Sequence, residues 1–195
     1  MGPEAALDPY FKKRVALVDG GERLEFEVAH TLFASHQVDS GTKLLLRCLE
    51  TEQPPQRILD LGCGYGALGV ALARRFPEAR VVMADSNLLA VRYARRNAAL
   101  NGAANAEVVG SVALEEVPAG EYDLIVANVP AKIGDEAIEA EFVRGPRGRL
   151  AAGGTYWFVA VSGLNHLLKR IGGRQEIALR QVRKRSGHTV YRVEA

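Results

Sequence analysis

The sequence predicts a doubly wound α/β fold on a mostly parallel sheet, and three observations carry that prediction. From residue 57 onward, short apolar strands alternate with helical segments, the order that yields βαβ crossovers and a sheet covered on both faces. The strands, such as Arg57-Ile-Leu-Asp-Leu61 and Arg80-Val-Val-Met-Ala-Asp85, are apolar almost throughout, as strands buried on both faces must be. The first runs straight into Gly62-Cys-Gly-Tyr-Gly66 ahead of a helical stretch. Alternating glycines let a backbone turn tightly and approach a ligand where a Cβ would collide, and the helix beyond starts with free N–H groups. That is the build of a nucleotide-cofactor loop.

The elements follow in order. Arg14–Val18 and Leu24–Val28 flank Asp19-Gly-Gly-Glu22 and read as a hairpin with a glycine turn. A polar loop, 33–42, leads into the apolar helical face of Lys43–Leu49, which ends before Pro54 and Pro55. Strand 57–61, helix 67–75, strand 80–85 and helix 88–100 follow, with Asn101-Gly102 as the helix stop. Next are strands at 106–109 and 122–127, a helix near 136–143, a long strand at 155–161 and a helix over 164–171. Strands near Glu176–Arg180 and Thr189–Val193 close the chain and predict an antiparallel edge. With 195 residues, one domain is the economical expectation: a hairpin and helix extension over 1–50 and a cofactor-binding core over 51–195.

Composition narrows the class. Hydrophobic content of 48% and charged content of 25% suit a soluble globular protein, and no apolar run approaches the ~20 residues of a membrane helix. The start carries no signal-like pattern, so a cytoplasmic protein is expected. Cys48 and Cys63 have no metal-like spacing and read as reduced thiols, Cys63 as a small packing residue of the loop. His30, His36, His166 and His188 share no metal spacing either, and each reads as a surface or packing histidine. The net charge is only +2, yet between Arg144 and Arg185 the basic residues face Glu176 alone as an acid. Such segregation suits phosphate binding or a solvated basic face.

The glycine loop has two readings. Gly62-x-Gly64-x-x-Ala67 with Asp85 further on satisfies a dinucleotide fingerprint. Asp60-x-Gly62-x-Gly64-x-Gly66 instead suits S-adenosylmethionine, whose ammonium and sulfonium favour an acidic neighbour that a pyrophosphate would not. Asp85 accepts from ribose hydroxyls in either case. Ser111, after the third strand of the series, stands where an adenine-edge contact is expected or where turn chemistry alone would place it. Asn128-Val-Pro-Ala131 lies at the end of the fourth strand, where open α/β sheets bind ligands.

With these residues together the sequence resembles the class I methyltransferases, in particular the small-domain group that includes ribosomal RNA guanine-N2 methyltransferases. The resemblance runs from about residue 24 to near the end. It rests on Phe33 with Asp39-x-Gly-Thr-x-Leu-Leu-Leu46, Leu59-Asp-Leu-Gly-Cys-Gly64, Asp85 with Asn97 to Asn101, Asn128-x-Pro130, and Ser186-Gly-His-Thr-Val-Tyr-Arg-Val193. It implies a seven-stranded Rossmann-like methyltransferase sheet with a reversed last strand. It also implies S-adenosylmethionine held by Asp39, Thr42, Asp60, Gly62, Cys63, Gly64, Asp85, Ser86, Ser111 and Asn128, and an exocyclic base nitrogen of RNA met by Asn128, Val129 and Pro130. No metal is implied. The family tetrapeptide reads Asn-Pro-Pro followed by an aromatic, whereas this chain has Val129 and Ala131. Either the stacking surface falls to another group such as Phe33 or Tyr65, or the substrate differs, or turnover is reduced. The ribosomal RNA enzymes of this group often carry an extra amino-terminal recognition domain, so here the basic carboxy-terminal third, a partner subunit, or both are expected to choose the RNA. A nicotinamide oxidoreductase, and an RNA-binding module without turnover on the same fold, are the rival readings.

Overall fold

The computed structural model describes residues 8–34, 36–174 and 177–195. Strands β1 (Phe11–Asp19) and β2 (Glu22–Ala29) pair antiparallel. They are joined by Gly20 and Gly21 at φ +57° and +87°, the left-handed geometry that suits a two-residue hairpin turn. Helix α1 (Ser40–Cys48) starts at Asp39, whose carboxylate accepts from the Gly41 and Thr42 N–H groups at 2.8 and 3.2 Å, an N-cap. Then come β3 (Arg57–Leu61), α2 (Ala67–Arg75), β4 (Arg80–Asp85) and α3 (Leu88–Leu100), over the ranges the sequence predicts. Gly102, at φ +63°, ends α3. Strands β5 (Ala106–Gly110) and β6 (Tyr122–Asn128) each run one residue further than expected.

The expected helix near 136–143 is three abutting pieces: α4 (Asp135–Ala137), a π-helical stretch Ile138–Arg144, and α5 (Gly145–Arg147). Pro146 is the physical reason. It has no N–H to return to the Phe142 carbonyl four residues back, and the Tyr156 hydroxyl donates to that carbonyl instead, at 2.6 Å. Strand β7 (Leu150–Val161) follows, then a 3-10 turn Ser162–Leu164 and α6 (Asn165–Gly173).

The closing hairpin is β8 (Arg180–Arg185) and β9 (His188–Glu194). This corrects the strand expected near Glu176–Arg180, of which Glu176 lies outside the described residues. Ile177 turns its side chain into the core, only 4% exposed, and the strand forms further on, over Arg180-Gln-Val-Arg-Lys-Arg185, four of whose six residues are basic. An edge position tolerates the charge because neither face of β8 has to be buried.

Seven strands form the main sheet in the order β5-β4-β3-β6-β7-β9-β8. All neighbours from β5 to β7 are parallel, and β9 pairs antiparallel with both β7 and β8. The reversed last strand therefore sits inside the sheet and β8 forms its edge. Alternate residues split between two cores, as a period of two requires. Ile58, Val81, Met83, Leu124, Val126, Trp157 and Val159 pack under α1, α2 and α3. Leu59, Val82, Ile125, Ala127, Tyr156 and Phe158 pack under the π-helical stretch and α6. No helix among the described residues is long and apolar enough to cross a membrane.

The β1–β2 hairpin is fastened to α3 by two asparagines at i, i+4 spacing, hence on one helix face. Buried Asn97 accepts from the Glu27 N–H at 2.7 Å and donates to the Glu27 and Tyr65 carbonyls at 2.9 and 2.8 Å. Asn101 makes the same pair of bonds to Glu25, at 3.0 and 2.8 Å. Around them Glu27 pairs with Arg14 and Arg96, and Asp8 takes bonds from Arg92, Arg96 and Tyr93. Replacing Asn97 with Ala orphans three buried backbone groups and is expected to cost about 3 kcal/mol. A shift in the urea midpoint with an unchanged m-value checks it.

Candidate active site

The carboxyl ends of β3, β4, β6 and β7 open onto a cavity of about 500 Å³, the position where open α/β sheets take their ligands. Its floor is the turn out of β3. Gly62, Gly64 and Gly66 adopt φ +71°, +57° and +90°, conformations that cost any L-residue with a Cβ. A Cβ on Gly62 would lie 3.2 Å from the Phe142 ring, whereas one on Gly64 would meet nothing within 4 Å. Gly64 is thus the open backbone of the floor. The turn is held from below, where the Ala84 carbonyl accepts from both the Gly62 and Cys63 N–H groups at 2.8 and 2.9 Å.

Two carboxylates hold the same turn. Gly66 is the N-cap of α2 and has no side chain to cap with, so Asp60 reaches over from β3. Its Oδ2 accepts from the Gly69 N–H at 2.8 Å, satisfying one of the free donors of the first helical turn. Its Oδ1, fully buried, has no hydrogen-bond partner among the described residues. Burial, with the Asp85 charge nearby and despite the Gly69 bond, pushes the Asp60 carboxyl up to about 7. Asp85, at the end of β4, accepts from the Gly64 N–H and the Asn87 N–H, both at 2.8 Å. Half-exposed, it keeps lone pairs open toward the cavity.

On the opposite wall Asp39, Thr42 and Asn128 meet. The Asn128 Nδ2 donates to Asp39 Oδ2 at 2.9 Å and to Thr42 Oγ1 at 3.1 Å. A carboxylate only accepts, so this pairing fixes which way the amide faces. Asn128 Oδ1 receives no hydrogen bond from the described residues, and Asn128 lines the cavity. The Val129 N–H donates to the Val159 carbonyl at 2.9 Å, which anchors the peptide after Asn128, and Val129 itself packs into the second core. Pro130 follows as half-buried lining.

The remaining predicted residues all border the cavity. Ser86 is exposed on its rim. The Ser111 hydroxyl is committed to its own loop, donating to the Ala113 carbonyl at 2.9 Å and accepting from the Glu116 N–H at 3.0 Å. Cys63 is buried, and burial first, then the charges of Asp60 and Asp85, push its thiol well above the ordinary range. It stays a neutral thiol.

Sequence reasoning missed His188, which lines the cavity from the start of β9 with Nε2 3.9 Å from Asp39 Oδ2. The tail motif Ser186-Gly-His was its only signal. Phe142 and Glu141 were missed too, because the stretch expected as an ordinary helix is π-helical, and its wider i→i+5 turn changes which side chains face the site. Tyr65 is buried with its ring on Phe26, 5.9 Å between centroids. Phe33 stands 72% exposed on the rim, with Val112 and Ile133 also exposed there.

A doubly wound sheet with this glycine floor, this acid-lined end and an Asn-x-Pro segment on the fourth strand of the βα series defines a nucleotide-cofactor transferase site. The profile of the methyltransferase small domain family matches residues 23–192, and the chain belongs to that family. Over 132 residues it is 38% identical to ribosomal RNA small subunit methyltransferase C of Hahella chejuensis, covering 66% of this chain and 38% of that protein. Over 151 residues it is 32% identical to ribosomal RNA large subunit methyltransferase G of Streptomyces avermitilis, covering 75% and 40%. Among solved structures, the T. thermophilus 16S rRNA N2 methyltransferase, in complex with AdoMet and guanosine, superposes with a TM-score of 0.80 at 26% identity, over 96% of this chain and 51% of that one. The chain thus spans about two-fifths to one-half of these proteins. Family membership resolves the two readings of the glycine loop toward the sulfonium cofactor and away from a dinucleotide.

Asp60 links stability to pH. Its folded-state value near 7 lies above the ordinary 3.8, so between those pH values the folded chain binds more protons than the unfolded one. Its contribution to stability therefore falls as pH rises from about 4 to 7 and is level above that. Asp60→Asn, which keeps an acceptor for Gly69, is expected to flatten this slope in denaturant midpoints measured from pH 4 to 8.

Proposed function

We propose that this chain uses S-adenosylmethionine to methylate an exocyclic base nitrogen of ribosomal RNA in the cytoplasm, guanine N2 being the best-supported target. The observation that carries the reading is the Asn128 amide, whose Nδ2 is held by Asp39 and Thr42 so that its Oδ1 is left to accept from the incoming amine. Family membership and the ribosomal RNA relatives support it.

The residues present fit the cofactor. Asp60 Oδ1 is a buried acceptor beside the cavity, without a partner among the described residues, a place that suits an ammonium. Asp85 suits ribose hydroxyls, Gly62, Cys63 and Gly64 offer backbone to pack against, and Ser86 and Ser111 border the same space. Asp39 and Thr42 close it across from the glycines. When bound, the cofactor supplies a methyl group on a positively charged sulfur.

The chain's own part is positioning. An exocyclic amine has its lone pair delocalised into the ring, and acceptors on its N–H groups favour the charge that grows as the nitrogen is alkylated. Asn128 Oδ1 and the Val129 carbonyl are those acceptors, and Pro130 restricts the direction of that carbonyl. Orientation of this kind can account for roughly 7–11 kcal/mol of a barrier. Ala131 leaves the usual stacking position empty of an aromatic. With Tyr65 buried on Phe26, Phe33 on the rim is the ring left to stack on the base, worth about 1–3 kcal/mol. Domain 51–195 then holds cofactor and acceptor, and the 1–50 extension supplies Phe33, Asp39 and Thr42 as the far wall.

Labelled methyl transfer into unmodified total RNA, followed by nucleoside analysis, tests the reading. Methylation of guanine N2 is the expected result, and incorporation into no RNA fraction would sink it. Asn128→Ala should lower kcat by about 10²–10³ while calorimetric binding of S-adenosylhomocysteine persists. Because a cation favours ionised Asp60, S-adenosylmethionine should bind more tightly as pH rises from 6 to 8, releasing protons below pH 7, and Asp60→Asn should abolish that trend.

A further inference from the structure

The basic carboxy-terminal third is not one surface, and the fold sorts it. Arg144 and Arg174 both pair with Glu139, at 2.8 and 3.1 Å, and Arg170 pairs with Asp135 at 3.4 Å. Arg149 is spent on the Gly120 and Pro118 carbonyls. On β8 the case differs. Arg180, Arg183, Lys184 and Arg185 have no carboxylate within ion-pair distance among the described residues, and every residue of that strand is exposed. Since β8 is the outer edge of the sheet, its outer backbone row is open as well.

Direction links this strand to the site. Because β9 is antiparallel to both β7 and β8, β8 runs the same way as β7, and Arg185 lies at the end of the sheet that carries the cavity. Ser186 and Gly187, both at positive φ, turn the chain, and the Ser162 N–H donates to the Gly187 carbonyl at 2.7 Å to fix that turn. The next residue is His188 in the cavity wall. Alternate cations on one face of an extended strand sit about 7 Å apart, so Arg183 and Arg185 form a row leading to the mouth, with Lys184 on the other face.

We propose that β8 is the track on which the phosphodiester backbone of the RNA is held, delivering the flipped base past His188 to Asn128. This rests on the RNA reading above and narrows it from a basic region to one strand. Charge on an edge strand also guards against edge-to-edge pairing, and that alternative gives a different outcome.

The test is anisotropy of a fluorescein-labelled single-stranded RNA oligonucleotide with the full chain and its R183S/K184S/R185S variant, from 50 to 200 mM KCl. Affinity at 150 mM should fall on the order of tenfold, and the salt slope should become shallower by about 2, at roughly 0.7 per lost phosphate contact. R170S, removing an already paired arginine, should leave affinity within about twofold. S-adenosylhomocysteine binding by calorimetry should be unchanged, showing that the site still folds. Equal RNA affinity and slope in wild type and triple variant overturn the proposal, and aggregation of the variant with that same result assigns β8 to edge protection. A wild type that binds RNA through β8 but transfers no methyl refutes the methylation reading alone.

Discussion

The left-handed turn from β3 into α2 is the constraint on which the rest of the site depends. Three glycines at positive φ make it possible, but glycine gives permission rather than direction, and a flexible loop would present nothing in particular to a ligand. Direction comes from acceptors around it. Ala84 takes two N–H groups, Asp85 takes that of Gly64, and Asp60 takes that of Gly69 at the start of α2. The Gly62, Cys63 and Gly64 donors are thus consumed at the back of the loop, and the Gly64 surface stays open at its front. Both carboxylates serve the fold before any ligand arrives, which is why one of them can lie fully buried with an oxygen to spare.

A second tie gives the amino-terminal extension its purpose. Asn97 bonds β2 on one side and the Tyr65 carbonyl on the other, so the hairpin is pinned to α3 and to the glycine turn by one buried amide. From the hairpin the chain passes Phe33 on its way to Asp39, where a single carboxylate oxygen caps α1 and holds Asn128. The cap of a helix and the orientation of the proposed catalytic amide are one interaction. Buried hydrogen-bond networks of this kind are worth making only when every member is satisfied, and here Asp39 Oδ2 carries three bonds.

Charge follows a similar economy. Arginines near Glu139 and Asp135 neutralise their surroundings and steady the π-helical stretch that sets Phe142 against Gly62. Those on β8 have no carboxylate within ion-pair distance among the described residues. A modest net charge can therefore conceal a surface suited to a polyanion, since the long-range field depends on which charges remain unpaired.

Strand and helix order, the boundaries of β3, α2, β4 and α3, the glycine floor and the Asn128 segment were legible in the sequence by itself, because apolar periodicity and glycine spacing are local signals. The π-helical stretch was not, since it follows from a proline whose missing donor is replaced by a tyrosine on another strand. Nor was β8, where a run of cations gives no alternation and only an edge position makes a strand of it. Asp60 reads as acidic neighbour to a cofactor; tertiary structure made it a helix cap as well, raised toward neutrality by burial. His188 carried no signal beyond the Ser186-Gly-His motif, because the β8–β9 turn brings it to Asp39 across 149 positions of chain. What the sequence determined was which residues could form the site's backbone. Only the folded chain decided which side chains were free to act, because that depends on which polar atoms the packing had already satisfied.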